Sequence, residues 1–235
     1  MLDPQMLLQM TQLRGLLNDA ISDAEGHLHA FDEGSAEPRP DIHDERRAFE
    51  LVASKLSEIA RDQTPNELAS AGPDLIGRAR RELELRPMMD AQKSMVREAR
   101  GFVRALAQVG RALDKLANLQ SGTIQTSLRV ARDKFYTDLP SIRDLRDSIE
   151  HAEDRRRGLD KKGKPLNLPR HTGDVRSGYL ISGTLVSGRL YEEALREHTY
   201  GATSDDGNYV EVEISASTLA AACDAVRAAI AAMPS

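Results

Sequence analysis

Between Pro140 and Gly158 the chain reads P-S-I-R-D-L-R-D-S-I-E-H-A-E-D-R-R-R-G, the one dense grouping of Arg, carboxylate and His in its 235 residues. An imidazole exchanges protons near neutral pH, and a guanidinium offers a planar, bidentate set of donors that suits phosphate oxygens. Arg146, Asp147, Glu150 and His151 therefore bring together residue types suited to proton transfer and anion recognition. The same spacings also suit an exposed lattice of i,i+4 ion pairs, each contributing about 0.2–0.5 kcal/mol. Both accounts stay open at the level of residue types.

Read as a regular helix from Ile142 to Arg156, the stretch places Ile142, Leu145, Ile149 and Ala152 on a buried seam. Arg146 flanks that seam. Asp147, His151 and Asp154 fall on the opposite side, so His151 is expected outside the core, solvated or covered by a partner surface. Three metal ligands on that face are a further alternative, but a full site needs ligands from elsewhere and a hydrogen-bonded outer shell. Gly158-x-x-x-x-Gly163-Lys164 mimics a phosphate loop, yet Pro165 stands where the Ser or Thr would hold magnesium, and no strand precedes it. Gly-x-Ser-x-Gly, Cys-x-x-Cys, His-Glu-x-x-His and dinucleotide glycine patterns are absent from the sequence. No metal and no cofactor is expected.

The elements that must position this stretch read as helices. Met6, Met10, Leu13, Leu17 and Ala24, extended by Leu2 and Leu28, make one stripe that is expected to end at Asp32-Glu33-Gly34-Ser35. His27 and His29, two positions apart, lie on about opposite sides of a helix and are expected as surface histidines near that helix's end. A second helix after Pro40 would bury Ile42, Phe49, Val52, Leu56 and Ile59, and Thr64-Pro65 would open a short third. The strongest periodicity comes next, at Met95, Ala99, Phe102, Leu106, Val109, Leu113 and Leu116, widened by Val96, Val103 and Ala117. Such a seam suits the central helix of a bundle or a coiled-coil dimer. The bundle is favoured because the preceding helices also need a surface on which to bury their stripes. Ser121-Gly122 ends it, and Ile124, Leu128, Ala131, Phe135 and Leu139 form another inward face.

From Val175 the period changes. Gly178 to Val186, Ala194 to Tyr200 and Asn208 to Ile214 read as strands, with turn chemistry at Asp205-Asp206-Gly207. Ser215 or Ser217 is placed to cap a last helix that buries Leu219, Cys223, Val226 and Ile230. The expected fold is mainly α: a helical bundle with a small C-terminal antiparallel β-sheet plus helix. The expected division is a bundle over 1–160, a basic linker loop over 161–174, and the sheet with its helix over 175–235.

Composition agrees with a helical core: aromatics are 4%, Trp is absent, and Leu, Ile, Val, Ala and Met must fill the interior. A single cysteine excludes an intrachain disulfide and suits a reducing compartment. With no apolar run of spanning length and no signal-peptide pattern, no membrane partner is expected and the expected location is cytoplasmic. The net charge of −5 is uneven. Residues 129–176 hold 13 Lys+Arg against 9 Asp+Glu, which leaves 19 against 28 elsewhere. A basic segment on an acidic body could draw phosphate chemistry to one place.

Arg146-Asp147-Ser148-Ile149-Glu150-His151 resembles the Arg-polar-x-x-x-His motif of HEPN domains, and Glu150-His151-Ala152-Glu153-Asp154-Arg155 is similar to the continuation found in uncharacterised bacterial helical proteins. Asp147 stands where the second pattern more often has Asn. The resemblance covers about residues 1–160. It implies an all-helical bundle, often a homodimer, of a kind that includes many metal-independent ribonucleases of toxin and defence systems. It further implies His151 as general acid or base toward a ribose 2′-hydroxyl and Arg146 on the scissile phosphate. Asp147 would orient the imidazole and Glu150 hold the guanidinium, while Arg143, Arg155, Arg156 and Arg157 would attract the RNA backbone. Arg146 and His151 lie about 140° apart on one helix, so a compact site implies a second copy of the chain. An antitoxin-like protein is the kind of regulatory partner implied. The alternative is a non-catalytic protein that uses the same helix to dimerise or to bind a partner.

Overall fold

The computed structural model describes residues 4–36, 50, 53–54, 57–58, 61, 86–119, 123–157, 159–160, 162–165, 179–186 and 189–234. The chain is mainly helical, with a small antiparallel sheet and a closing helix at its C-terminal end. In order the elements are α1 (Pro4–Ala36), α2 (Arg86–Leu119), α3 (Thr123–Asp138), α4 (Ile142–Glu150), α5 (Ala152–Arg156), β1 (Tyr179–Val186), β2 (Arg189–Arg196), β3 (Thr199–Thr203), β4 (Tyr209–Glu213) and α6 (Ala216–Ala232). The helices expected around Ile42–Ile59 and after Thr64 rest on residues outside the described ones, as do Leu2 and Gly178.

Contacts divide the chain into two compact units, Met1–Ala30 with Val96–Ser235, and Phe31–Met95. In the smaller unit Phe31 is fully buried, and a side chain at Gly34 would come within 3.3 Å of Met95. The expected end of α1 at Asp32–Ser35 is corrected here: the helix runs to Ala36. Buried Phe31 extends the apolar stripe into the stretch where composition alone suggested a stop.

The larger unit carries everything that positions the candidate site. The α2 seam is buried throughout, with Phe102, Val103, Leu106, Val109, Leu113, Leu116 and Ala117 fully inaccessible. A side chain added at Gly101 would meet the His27 ring at 2.4 Å, so the glycine admits that imidazole against α2. His27 Nδ1 lies 2.8 Å from Glu98 Oε2. His27 keeps 37% of its side-chain surface in solvent while it engages Glu98, and His29 is exposed. Burial alone would raise the Glu98 carboxyl, but the hydrogen bonds from His27 and Arg97 more than offset it and hold it below the ordinary range.

α3 buries Leu128, Ala131 and Phe135 and packs against α6. Ser215 caps α6 by accepting from the Thr218 N–H, as its position suggests. The buried face of α6 is Thr218, Ala222, Ala225, Val226 and Ala229. Leu219, Cys223 and Ile230 are only partly covered, so the face is turned from the expected one. Alanines, not the larger residues, occupy the contact because interaxial distance shrinks with the side chains between two helices. Burial raises the Cys223 thiol above its usual value.

The sheet is a four-stranded meander in the order β1-β2-β3-β4, antiparallel at every step. Sequence periodicity gives three strands, because Ala194 to Tyr200 reads as one. The structure splits it between β2 and β3 at Glu197-His198, with Glu197 at φ +50°. Non-glycine residues seldom adopt that conformation, so no glycine or asparagine announces this hairpin. The turn at Asp205-Asp206-Gly207 is present, with Gly207 at φ +84° and its N–H bonded to the Ser204 carbonyl. Most of the expected linker lies outside the described residues. On either side of it, α4 packs against β3 and β4.

Candidate functional site

Pro140 ends the α3 connection and Ser141 stands at the N-terminus of α4 without a side-chain capping bond. Ile142, Leu145 and Ile149 are buried, as their spacing predicts, and Ala152 is half-buried. Ser148 is buried too, and its hydroxyl donates to the Thr203 carbonyl at 2.9 Å. That bond pins α4 to β3.

The regular helix expected from Ile142 to Arg156 is not what forms. His151 sits at φ −110°, ψ +28°, outside the helical region, with its N–H on the Asp147 carbonyl. α4 therefore stops at Glu150 and the five-residue α5 begins afresh at Ala152. The imidazole occupies the corner between them, 38% exposed, with Nδ1 3.7 Å from Asp154 Oδ2. The carboxylate beside the ring is Asp154, not Asp147 as the sequence suggested.

Asp147 instead takes the Arg146 guanidinium. Arg146 Nε donates to Asp147 Oδ1 at 2.8 Å, and Nη2 also contacts that oxygen. Glu150 Oε2 stands 3.8 Å from Arg146 Nε. Glu150 also faces Arg111 of α2 at 3.8 Å. The Arg146 and Asp147 side chains are 21% and 16% exposed, so neither is fully withdrawn from solvent.

Of the arginines expected on an RNA backbone, Arg143 serves the fold as well. Its Nη2 donates to Asp114 Oδ2 at 2.8 Å, and its guanidinium lies 3.8 Å from the Tyr136 ring centroid. The Tyr136 hydroxyl donates to the same Asp114 carboxylate at 2.9 Å, which ties α2, α3 and α4 together. Arg157 is exposed. The side chains of Arg155 and Arg156 lie outside the described ones.

The rival readings of the sequence fare differently. Among the described residues, no group of three or more His, Cys, Asp or Glu side chains is placed to hold a metal ion. The segment that mimics a phosphate loop is a turn between Leu159 and Pro165. There the Asp160 carboxylate accepts the Lys162 and Lys164 backbone N–H groups at 2.8 Å each. Those bonds, chiefly the one from Lys164, pull the Asp160 carboxyl down. A phosphate would need the same donors. Among the described residues no helix is long and apolar enough to cross a membrane.

Sequence reasoning missed a second constellation, buried where α2 meets the sheet. Glu193 of β2 is 1% exposed. Its Oε1 accepts Arg100 Nε at 2.7 Å and the Tyr200 hydroxyl at 2.6 Å. Burial and the Glu193 carboxylate push the Tyr200 phenol well above its ordinary value. Glu193 Oε2 is buried with no hydrogen-bond partner. Nothing beside Glu193 in the sequence (Glu192 before it, Ala194 after) announces this, because its partner on α2 is 93 positions away. No family model matches the chain, and neither a curated protein nor a solved structure matches it.

Proposed function

We propose that the corner between α4 and α5 is an RNA-facing site of HEPN-like type, which cleaves RNA without a metal ion when two copies of the chain are juxtaposed. One observation carries this reading. A guanidinium in the middle of one short helix and an imidazole at its C-terminal corner are both partly exposed, each beside a carboxylate. Asp154 Oδ2 lies 3.7 Å from Nδ1, which leaves Nε2 for a substrate proton. His151 would take the proton of a ribose 2′-hydroxyl or return one to the leaving 5′-oxygen. Arg146 would pair with the phosphate oxygens as charge builds on them. Arg146 lies in the body of α4 and His151 at its C-terminal corner, so one copy does not bring the two groups together on a single phosphate. A second copy of α4 supplies the missing partner.

A specific observation also favours the non-catalytic reading. Asp147 and Glu150 already engage Arg146, and Glu150 reaches Arg111, so the same groups form an internal lattice that would suit a dimerising or partner-binding helix. Incubation of total RNA with purified protein in EDTA separates the two. Cleavage by the wild type that both His151→Ala and Arg146→Ala lose supports the ribonuclease. Intact RNA together with weaker dimerisation of the same two variants supports the interaction protein.

A further inference from the structure

The meander ends on β4, whose outer side pairs with no other strand among the described residues. Ile214 N donates to the His198 carbonyl at 2.6 Å and Ser204 N to the Asn208 carbonyl at 2.8 Å. In an antiparallel ladder the bonded positions alternate, so residues 208, 210, 212 and 214 face β3. Glu211 and Glu213 therefore direct their N–H and C=O groups away from it. No backbone bond joins those groups to another element among the described residues. A cavity of about 240 Å³ lies beside β4, lined by Leu139, Pro140 and Ser141 together with Glu211, Val212 and Glu213. Asp138 also lines it, and both glutamates are exposed.

We propose that β4 is a docking edge for an extended peptide carrying Lys or Arg at alternate positions. The backbone chemistry is strand addition: a segment laid along β4 satisfies the outward N–H and C=O groups of Glu211 and Glu213. Charge selects the occupant. Side chains two positions apart in a strand share a face, so Glu211 and Glu213 present two carboxylates about 7 Å apart. An alternating basic segment meets both, while Asp138 beside the cavity is already paired with Lys134 Nζ at 2.6 Å. A second copy of β4 would set glutamates against glutamates across the new ladder, and like charges directly opposite are destabilising. The edge thus discriminates against self-pairing while accepting a basic strand. This inference is independent of the RNA reading.

The test uses the full chain and a fluorescent, end-capped peptide of alternating Lys and Val, followed by anisotropy at low salt. Saturable binding is expected. Glu211→Lys combined with Glu213→Lys should weaken it about tenfold or more, and both positions are exposed enough to leave the fold intact. A peptide of the same charge with N-methyl groups on alternate amides should lose as much, because methylation removes the backbone donors. Equal binding of the methylated peptide would reduce the interaction to surface charge and overturn the proposal. So would the absence of saturable binding, which would leave the glutamates as guards against edge pairing alone.

Discussion

Two parts of this molecule use the same residue types to different ends. At the junction of α2 and the sheet, Arg100 and Tyr200 meet on Glu193, whose side chain is 2% exposed, while the Arg100 side chain keeps 25% of its surface in solvent. At the corner of α4 and α5, Arg146, Asp147, Glu150, His151 and Asp154 meet with side chains 16% to 41% exposed. A buried charge without its partner is costly, so the first group is fixed once the core forms. Exposed pairs contribute little and exchange readily with solvent or an incoming anion. Composition makes both groups look alike; burial decides which one can change partners.

The sharpest way to break this comparison is to remove Arg100. Arg100→Ala should destabilise the fold by about 3–5 kcal/mol in urea unfolding, because it strands the Glu193 carboxylate. Glu193→Gln keeps an acceptor for Tyr200 and should cost less, about 1–3 kcal/mol. If Arg100→Ala proved neutral, the junction would belong with the exposed lattice and the contrast would collapse.

Overpacking gives the next largest effect. Gly101→Ala drives a methyl group into the His27 ring and should cost about 1–3 kcal/mol. Adding His27→Ala should recover most of that loss, which a purely helical effect of the alanine would not explain. The pH dependence is smaller. Glu98 is held below the ordinary carboxylate range in the folded chain, so its contribution is complete above that range and is lost as pH falls through the folded value. Glu98→Gln should flatten the acid limb of the stability profile by about 1 kcal/mol or less. A variant with an unchanged limb would show that the His27 contact does not couple to folding.

Much of the fold was legible because single elements carry their own periodicity. The α2 seam repeats every three or four residues and is buried position by position. The α4 seam was equally plain at Ile142, Leu145 and Ile149. The errors arise where tertiary contacts override local pattern. Glu197 turns the chain at a positive φ without a glycine to mark it, so two strands read as one. Ala152, Glu153 and Asp154 are acceptable helix residues, so nothing local announces the break at His151. That break reassigns the nearby carboxylate from Asp147 to Asp154, a change no regular helix would show. The Glu193 cluster was invisible because its meaning depends on Arg100, far away in the sequence.

The α4 corner should respond least in stability. Arg146→Ala and His151→Ala should each move the unfolding free energy by about 1 kcal/mol or less. Measuring RNA cleavage in EDTA and urea unfolding on the same His151→Ala preparation therefore tests the central claim most directly. The account predicts cleavage abolished and the unfolding midpoint nearly unchanged. Undiminished cleavage by this stably folded variant would contradict it.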